Sequence, residues 1–195
     1  MSLRHDEGWY DDGGVSLLDG ITVLDFTRVL AGPYCTRLFA DLGARVIKIE
    51  RPGEGDETRR GYLQLDGARN DQATYFVRVN AGKLSVGVDL SHPEGRAVAL
   101  DLARIADVAI ENFVPGVAAK LGVGAAALRA INAKLVYCSI SGFGQSGPLA
   151  GWPAFAHIIS AMSGMMDLER NGDATPRVSY LQGADVLAGT HAFGA

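Results

Sequence analysis

Short apolar runs that alternate with amphipathic, helix-length stretches constrain this chain more than any other feature. Residues 22–27, 45–50, 84–90, 108–113 and 135–140 are rich in Val, Ile and Leu. Between the first two, Gly32 and Pro33 open a stretch in which Cys35, Leu38, Phe39 and Leu42 recur at i, i+3, i+4 and i+7, one face of a helix. Pro33 suits the first helical turn, and Gly43 suits the position just past the last. Ser91 and Glu94 have the spacing of a capping box, and Val98, Leu102 and Ile105 supply the stripe of the helix behind it. Two short helical pieces are expected across 117–131, a helix across 155–166, an extended piece at 178–181 and a helix from Asp185 onward. Strands with almost no polar face, separated by helices, predict an α/β fold with a mostly parallel, Rossmann-like sheet and helices on both faces. Loops at the C-terminal ends of such strands are where ligands bind.

Of the 195 residues, 48% are hydrophobic and 21% charged, the balance of a chain that can bury a core without staples. A net charge of −4 leaves no electrostatic footprint for nucleic acid as the main partner. Cys35 and Cys138 are far apart and lack ligand spacing, so neither a metal centre nor a disulfide framework is expected, and a reducing cytoplasm is the default. No apolar run reaches the length of a membrane span, and residues 1–14 are polar and acidic, unlike a signal sequence. Residues 1–16 are therefore expected to be a flexible leader. The polar, Gly-bearing stretch 52–74 is too long for a connector and reads as a functional surface loop.

Several residues sit where a parallel sheet places its ligands. In the turn 27–33, Ala31 and Gly32 allow close approach to the backbone at a helix N-terminus, which favours an anion. The turn lacks the dinucleotide and P-loop signatures. Arg51 ends the second strand and can meet a phosphate, though charged strand ends are usually just solvated. Asn112 and Phe113 end another strand and offer an amide and a ring to a flat heterocycle; the simpler role for Asn112 is to cap Pro115 and Gly116. Residues 142–147 form a Gly-rich loop that can line a cleft. Asp185 opens an apolar segment, where a carboxylate is most often a helix cap and less often a nucleophile. His157 and His191 read more simply as core residues than as ligands.

These residues also carry a family resemblance. The run LDGITVLDFTRVLAGP at 18–33 resembles the opening signature of the class III CoA-transferases, the CaiB/BaiF family. DLGARVIKIE at 41–50, NAGK at 80–83, the segment from Asp107 through Phe113, and AMSG at 161–164 follow in the family's order. The resemblance implies transfer of CoA between an acyl-CoA and a carboxylic acid, with coenzyme A as acyl carrier and no metal. It places the nucleophile at Asp185, which forms an aspartyl-CoA thioester. It carries CoA contacts to Arg28, Ala31, Arg51, Asn112 and Phe113, sets Val88 and Leu121 beside the adenine, and puts Lys120 near the phosphates. It also implies an interlocked homodimer.

Departures refine this. Leu30 stands where formyl-CoA-specific members carry Gln, which argues against formate and oxalate. Phe155 stands where the family's 2-methylacyl-CoA racemases carry the His of a His/Asp pair, which disfavours racemase chemistry; His157 is two positions away. Ala156 replaces an acidic residue that usually lines the site. Residues 17–195 are expected to be the N-terminal part of the CoA-binding large domain, with the small second domain and the return segment absent. The alternative to a transferase is a catalytically inactive CoA-binding or assembly module.

Overall fold

The computed structural model describes residues 16–61, 63–170, 172, 174–177 and 182–195. Strands β1 (Thr22–Asp25), β2 (Arg45–Glu50), β3 (Leu84–Gly87), β4 (Val108–Glu111) and β5 (Val136–Ser139) form one sheet in the order β3-β2-β1-β4-β5, every pair parallel. The chain winds outward from β1 to β3, then crosses back to β4. That reversal makes the gap between β1 and β4 the topological switch point, where open α/β sheets bind ligands at strand C-termini.

Strand alternation splits the apolar residues between two faces. Leu24, Ile47, Ile49 and Ala109 pack on one side with α3 (Pro93–Ala103), α4 (Val117–Lys120) and α5 (Ala125–Ile131). Val23, Val46 and Ile110 pack on the other with Cys35 and Phe39 of α1 (Ala31–Asp41) and Phe193 of α8 (Gly183–Gly194). The Phe39 and Phe193 rings meet edge to face at 4.8 Å. The expected α/β sheet with helices on both faces is thus the observed fold; β2 fills its apolar run and the other four strands are two or three residues shorter than theirs.

Local readings fared unevenly. Gly43 follows α1 with φ of +94°, as its position required. The capping box at Ser91 is not made: His92 precedes α3, and the Ser91 hydroxyl donates to Asp89 Oδ1 at 2.6 Å. Pro93 instead starts the helix, as its fixed φ allows. The core stripe of α3 is Ala99 and Ala103, fully buried, while Val98 and Ile105 are exposed. Helix α2 (Thr74–Asn80) was not foreseen. The stretch 155–166 is two helices, α6 (Ala156–Met162) and α7 (Met165–Leu168), parted at Gly164 with φ of +81°. The expected extended piece at 178–181 and nearly all of the 1–16 leader lie outside the described residues.

Candidate active site

Two cavities open at the C-terminal end of the sheet. The first, about 390 Å³, has an apolar floor of Phe26, Ile49, Val88 and Leu121. Arg28 and Arg51 stand on its rim, and Phe113 forms one wall. A flat apolar slot beside two guanidinium groups suits an adenine with its phosphates. Each arginine is met by a carboxylate from the segment after β2: Arg28 by Glu57 at 2.8 Å and Arg51 by Glu54 at 2.9 Å. Both pairs are largely exposed, so they add little stability.

The second cavity, about 200 Å³, lies beyond Phe113 and is lined by Ala31, Asn112, Phe155, Ala156 and Asp185, among other residues. Five of the eight residues assigned to CoA therefore line the first cavity: Arg28, Arg51, Val88, Phe113 and Leu121. Ala31 and Asn112 line the second, with Phe113 common to both. Lys120 lines neither; it is exposed at the end of α4, next to Leu121. Leu30 is buried and lines neither cavity.

Asp185 is the third residue of α8, with Gln182 preceding the helix, so it is not in the cap position. Burial lifts its carboxyl above its ordinary value, and the charge of His157 opposes the lift. A half-buried carboxylate with raised basicity is a better nucleophile than a solvated one. Its depth is set by close packing of α8 on α1: a Cβ at Gly189 would lie 2.5 Å from the Ala31 carbonyl oxygen. Tyr75 of α2 adds a tie, its hydroxyl donating to Gln182 Oε1 at 3.2 Å. His157 and His191 are exposed, not core residues. His157, on the first turn of α6, acts on Asp185 through its charge.

Asn112 does not cap the turn that follows it. Its Oδ1 accepts from the Arg28 N–H and its Nδ2 donates to the Arg28 carbonyl, both at 2.8 Å. One side chain from β4's end thus mimics a strand and bridges the switch point to β1.

Beneath the cavities runs a ladder of buried charge that the residue pattern did not expose. Asp25 pairs with Lys83 at 3.2 Å, Lys48 with Asp56 at 3.2 Å, and Glu50 with Arg59. Burial alone would raise the Asp25 carboxyl, but Lys48, Lys83 and the hydroxyls of Thr27 and Thr36 outweigh it and hold the group low. Burial brings the Lys83 ammonium down to about 8, against the pull of Asp25. Burial also opposes ionisation of Glu50, but donors from Arg59, Ser85 and the Asp56 N–H hold it at about 2. One signal was present: Asp25 and Lys48 interrupt otherwise apolar strands and are register partners.

Among the described residues, no group of three or more His, Cys, Asp or Glu could hold a metal ion. No described helix is long and apolar enough to cross a membrane.

Comparison with known proteins joins these features. Residues 18–195 match the model of CoA-transferase family III. The chain is 42% identical over 178 residues to the succinyl-CoA:glutarate CoA-transferase of Mus musculus, covering 91% of this chain and 40% of that protein. It is 47% identical over 176 residues to the acetyl-CoA:oxalate CoA-transferase of Acetobacter aceti, covering 90% and 44%. A crystal structure of a CaiB/BaiF family protein from Brucella suis superposes with a TM-score of 0.86 at 40% identity, covering 92% of this chain and 48% of that one. The chain spans less than half the length of these relatives. With its parallel sheet, its switch-point crevice and a family match over nearly all its length, the chain belongs to CoA-transferase family III.

Proposed function

We propose that this chain carries the CoA-binding and nucleophile-bearing part of an enzyme that moves CoA from an acyl-CoA donor to a carboxylic acid. The observation that carries the reading is the meeting of two cavities at Phe113, one apolar-floored with arginines at its rim and the other holding Asp185. Adenine lies over Val88 and Leu121, the phosphates meet Arg28 and Arg51 with Lys120 at the outer edge, and the pantetheine passes Asn112 and Phe113 toward Ala31. Residues 17–195 are the N-terminal part of a large domain, acting in a cytoplasmic homodimer.

In the reaction, an Asp185 carboxylate oxygen attacks the thioester carbonyl and the C–S bond breaks, giving an acyl-aspartyl anhydride and CoA thiolate. The thiolate attacks the aspartyl carbonyl, releasing the first acid and leaving an aspartyl-CoA thioester. The acceptor carboxylate attacks that thioester, forming a new anhydride and freeing the thiolate again. Attack of the thiolate on the new acyl carbonyl gives the product acyl-CoA and restores Asp185. The carboxylate nucleophile divides one hard exchange into easier steps. Backbone amides of the glycine-bearing turns would stabilise the oxyanions.

Incubation with acyl-CoA and hydroxylamine tests this: Asp185 is expected to be recovered as its hydroxamate. The Asp185→Asn variant should lose the label and keep CoA affinity, since an amide forms no anhydride. A label on another carboxylate, or labelling that survives in the variant, removes the assignment. A second reading, a CoA-binding module without turnover, is favoured by Ala156, an uncharged residue in the wall beside Asp185. Apolar residues on α6 and α8, including Ile158, Met162 and Leu187, are exposed and support self-association. A strictly monomeric species in sedimentation would count against the dimer.

A further inference from the structure

Val29 has φ of +68°, the one positive value at a non-glycine among the described residues. A β-branched side chain disfavours that region, so the surroundings must impose it. They do so by holding successive backbone groups of one turn. The Thr27 carbonyl accepts from Lys48 Nζ at 2.7 Å, and the Val29 N–H donates to Asp56 Oδ2 at 3.2 Å. Between them, Asn112 holds both the N–H and the carbonyl of Arg28. Lys48 and Asp56 are themselves paired at 3.2 Å with side chains 2% and 1% exposed.

The turn held in this way straddles the two cavities. Arg28 lines the first and Ala31 the second. A buried ion pair is a poor device for stability alone, because apolar residues of similar size commonly do as well. Here each partner has bonding capacity left over after the pair is made: Lys48 directs it at this turn, and Asp56 divides it between this turn through Oδ2 and the Thr58 N–H and hydroxyl through Oδ1.

We propose that Lys48 and Asp56 are a positioning pair, holding residues 27–29 in the left-handed turn that fixes the nucleotide-facing Arg28 relative to the acyl-facing Ala31. The identity of the ligand rests on the CoA reading above; the clamp itself does not. Lys48 grips the end of β1 and Asp56 grips the start of α1's lead-in. Both line the first cavity, away from the reacting atoms, so exchange across the turn, and not affinity alone, separates positioning from direct contact.

The test replaces the pair by apolar residues in the whole chain, Lys48→Met/Asp56→Leu, and measures amide exchange over residues 26–31, thermal stability and CoA affinity by calorimetry. Melting should fall, because Lys48 also holds the buried Asp25 carboxyl low, but well below the transition exchange across the turn should accelerate relative to β5 and CoA binding weaken by about tenfold, the signature of a lost geometry in a chain still folded. Lys48→Met/Asp56→Asn returns an amide oxygen that can accept from the Val29 or Thr58 N–H without restoring the ion pair, and should recover part of both. A folded Lys48→Met/Asp56→Leu variant with unchanged exchange and affinity overturns the proposal, and so does an Asn variant no better than the Leu one. If the Leu variant does not fold, Lys48→Met/Asp56→Asn decides, because the Thr27 carbonyl then loses its donor while no buried charge is left unpaired; unchanged exchange at 27–29 overturns the clamp. An unsubstituted chain with no CoA affinity removes the CoA reading and leaves the exchange comparison to settle the clamp.

Discussion

The cavity over Phe26, Ile49 and Val88 is backed by the buried pairs Lys48–Asp56 and Glu50–Arg59, whereas the one around Asp185 rests on small residues and helix contact. In the first, Lys48, Glu50 and Asp56 are consumed in fixing turns, and among the described lining residues the rim arginines are the cations left to a ligand. In the second, no ion pair among the described residues fixes the carboxylate; Gly189 lets α8 lie against α1 and brings Asp185 to half-burial. The difference fits the two tasks. Binding a polyanion needs donors held still against its pull, while a nucleophilic carboxylate must stay unpaired enough to react.

Removing a charge from the ladder should cost far more stability than removing the Asp185 carboxylate. Asp25→Ala leaves Lys83 and Lys48 facing an uncompensated hole and the hydroxyls of Thr27 and Thr36 without their acceptor. A loss of about 3–5 kcal/mol in urea unfolding is expected, as for other broken buried pairs. Asp185→Ala should cost far less, since no ladder depends on it. Equal losses in the two variants would erase the contrast.

Acid should find the same region. The folded Glu50 carboxyl, at about 2, lies below its ordinary 4.5. A lowered carboxylate value gives stability that is whole above the unfolded value and drains as pH falls through the folded one. The window is therefore pH 4.5 down to 2, with about 3 kcal/mol at stake from this group. Glu50→Gln should flatten that limb of the stability profile. Asp185, raised rather than lowered, contributes with the opposite sign. A profile in the Gln variant as steep as in the parent chain would show the acid limb to lie elsewhere.

The second region breaks by bulk instead. Gly189→Ala places a methyl 2.5 Å from the Ala31 carbonyl oxygen and 3.0 Å from the Tyr34 ring, so α8 must shift. Overpacking of this kind costs about 1–3 kcal/mol. The first cavity should keep its CoA affinity, while hydroxamate formation at Asp185 falls because the carboxylate moves. Loss of CoA affinity in this variant would mean that the two regions are not independent.

How much of this was legible follows from where the interactions run. The sheet was readable because residues 22–25, 45–50 and 108–111 are apolar at both parities, the mark of strands covered on two faces. Asn112, Phe113 and Arg51 were reachable from their places at strand ends. The ladder was not: Asp25 and Lys83 are 58 positions apart, and the nearer pairs, Lys48 with Asp56 and Glu50 with Arg59, join a strand to a loop whose path no residue pattern gives. The α3 stripe was right at Leu102, which packs on the core, and wrong at Val98 and Ile105, because periodicity weights large side chains while the helix approaches the sheet through Ala99 and Ala103. The Ser91 box failed because Asp89 competes for the same hydroxyl and N–H. Tyr75 lies in a helix preceded by polar loop, with nothing in its own neighbourhood to announce Gln182.

The smallest expected effect concerns the rim of the first cavity. Glu54 sits 2.9 Å from Arg51 and lines the cavity with it, so CoA phosphates must share the guanidinium with a carboxylate or displace it. Glu54→Gln removes the competitor and one like charge from the path of a polyanion. At about 7 Å in a water-like dielectric that charge is worth ~0.6 kcal/mol, roughly a threefold gain in affinity. The gain should shrink as salt screens the rim, and folding stability should stay nearly constant because the pair is exposed. Arg51→Ala should move affinity the other way by about 1–3 kcal/mol, through loss of a charge-assisted bond. An unchanged affinity for both variants at low ionic strength would place the phosphates away from Arg51 and leave Arg28 and Lys120 as the cations to meet them.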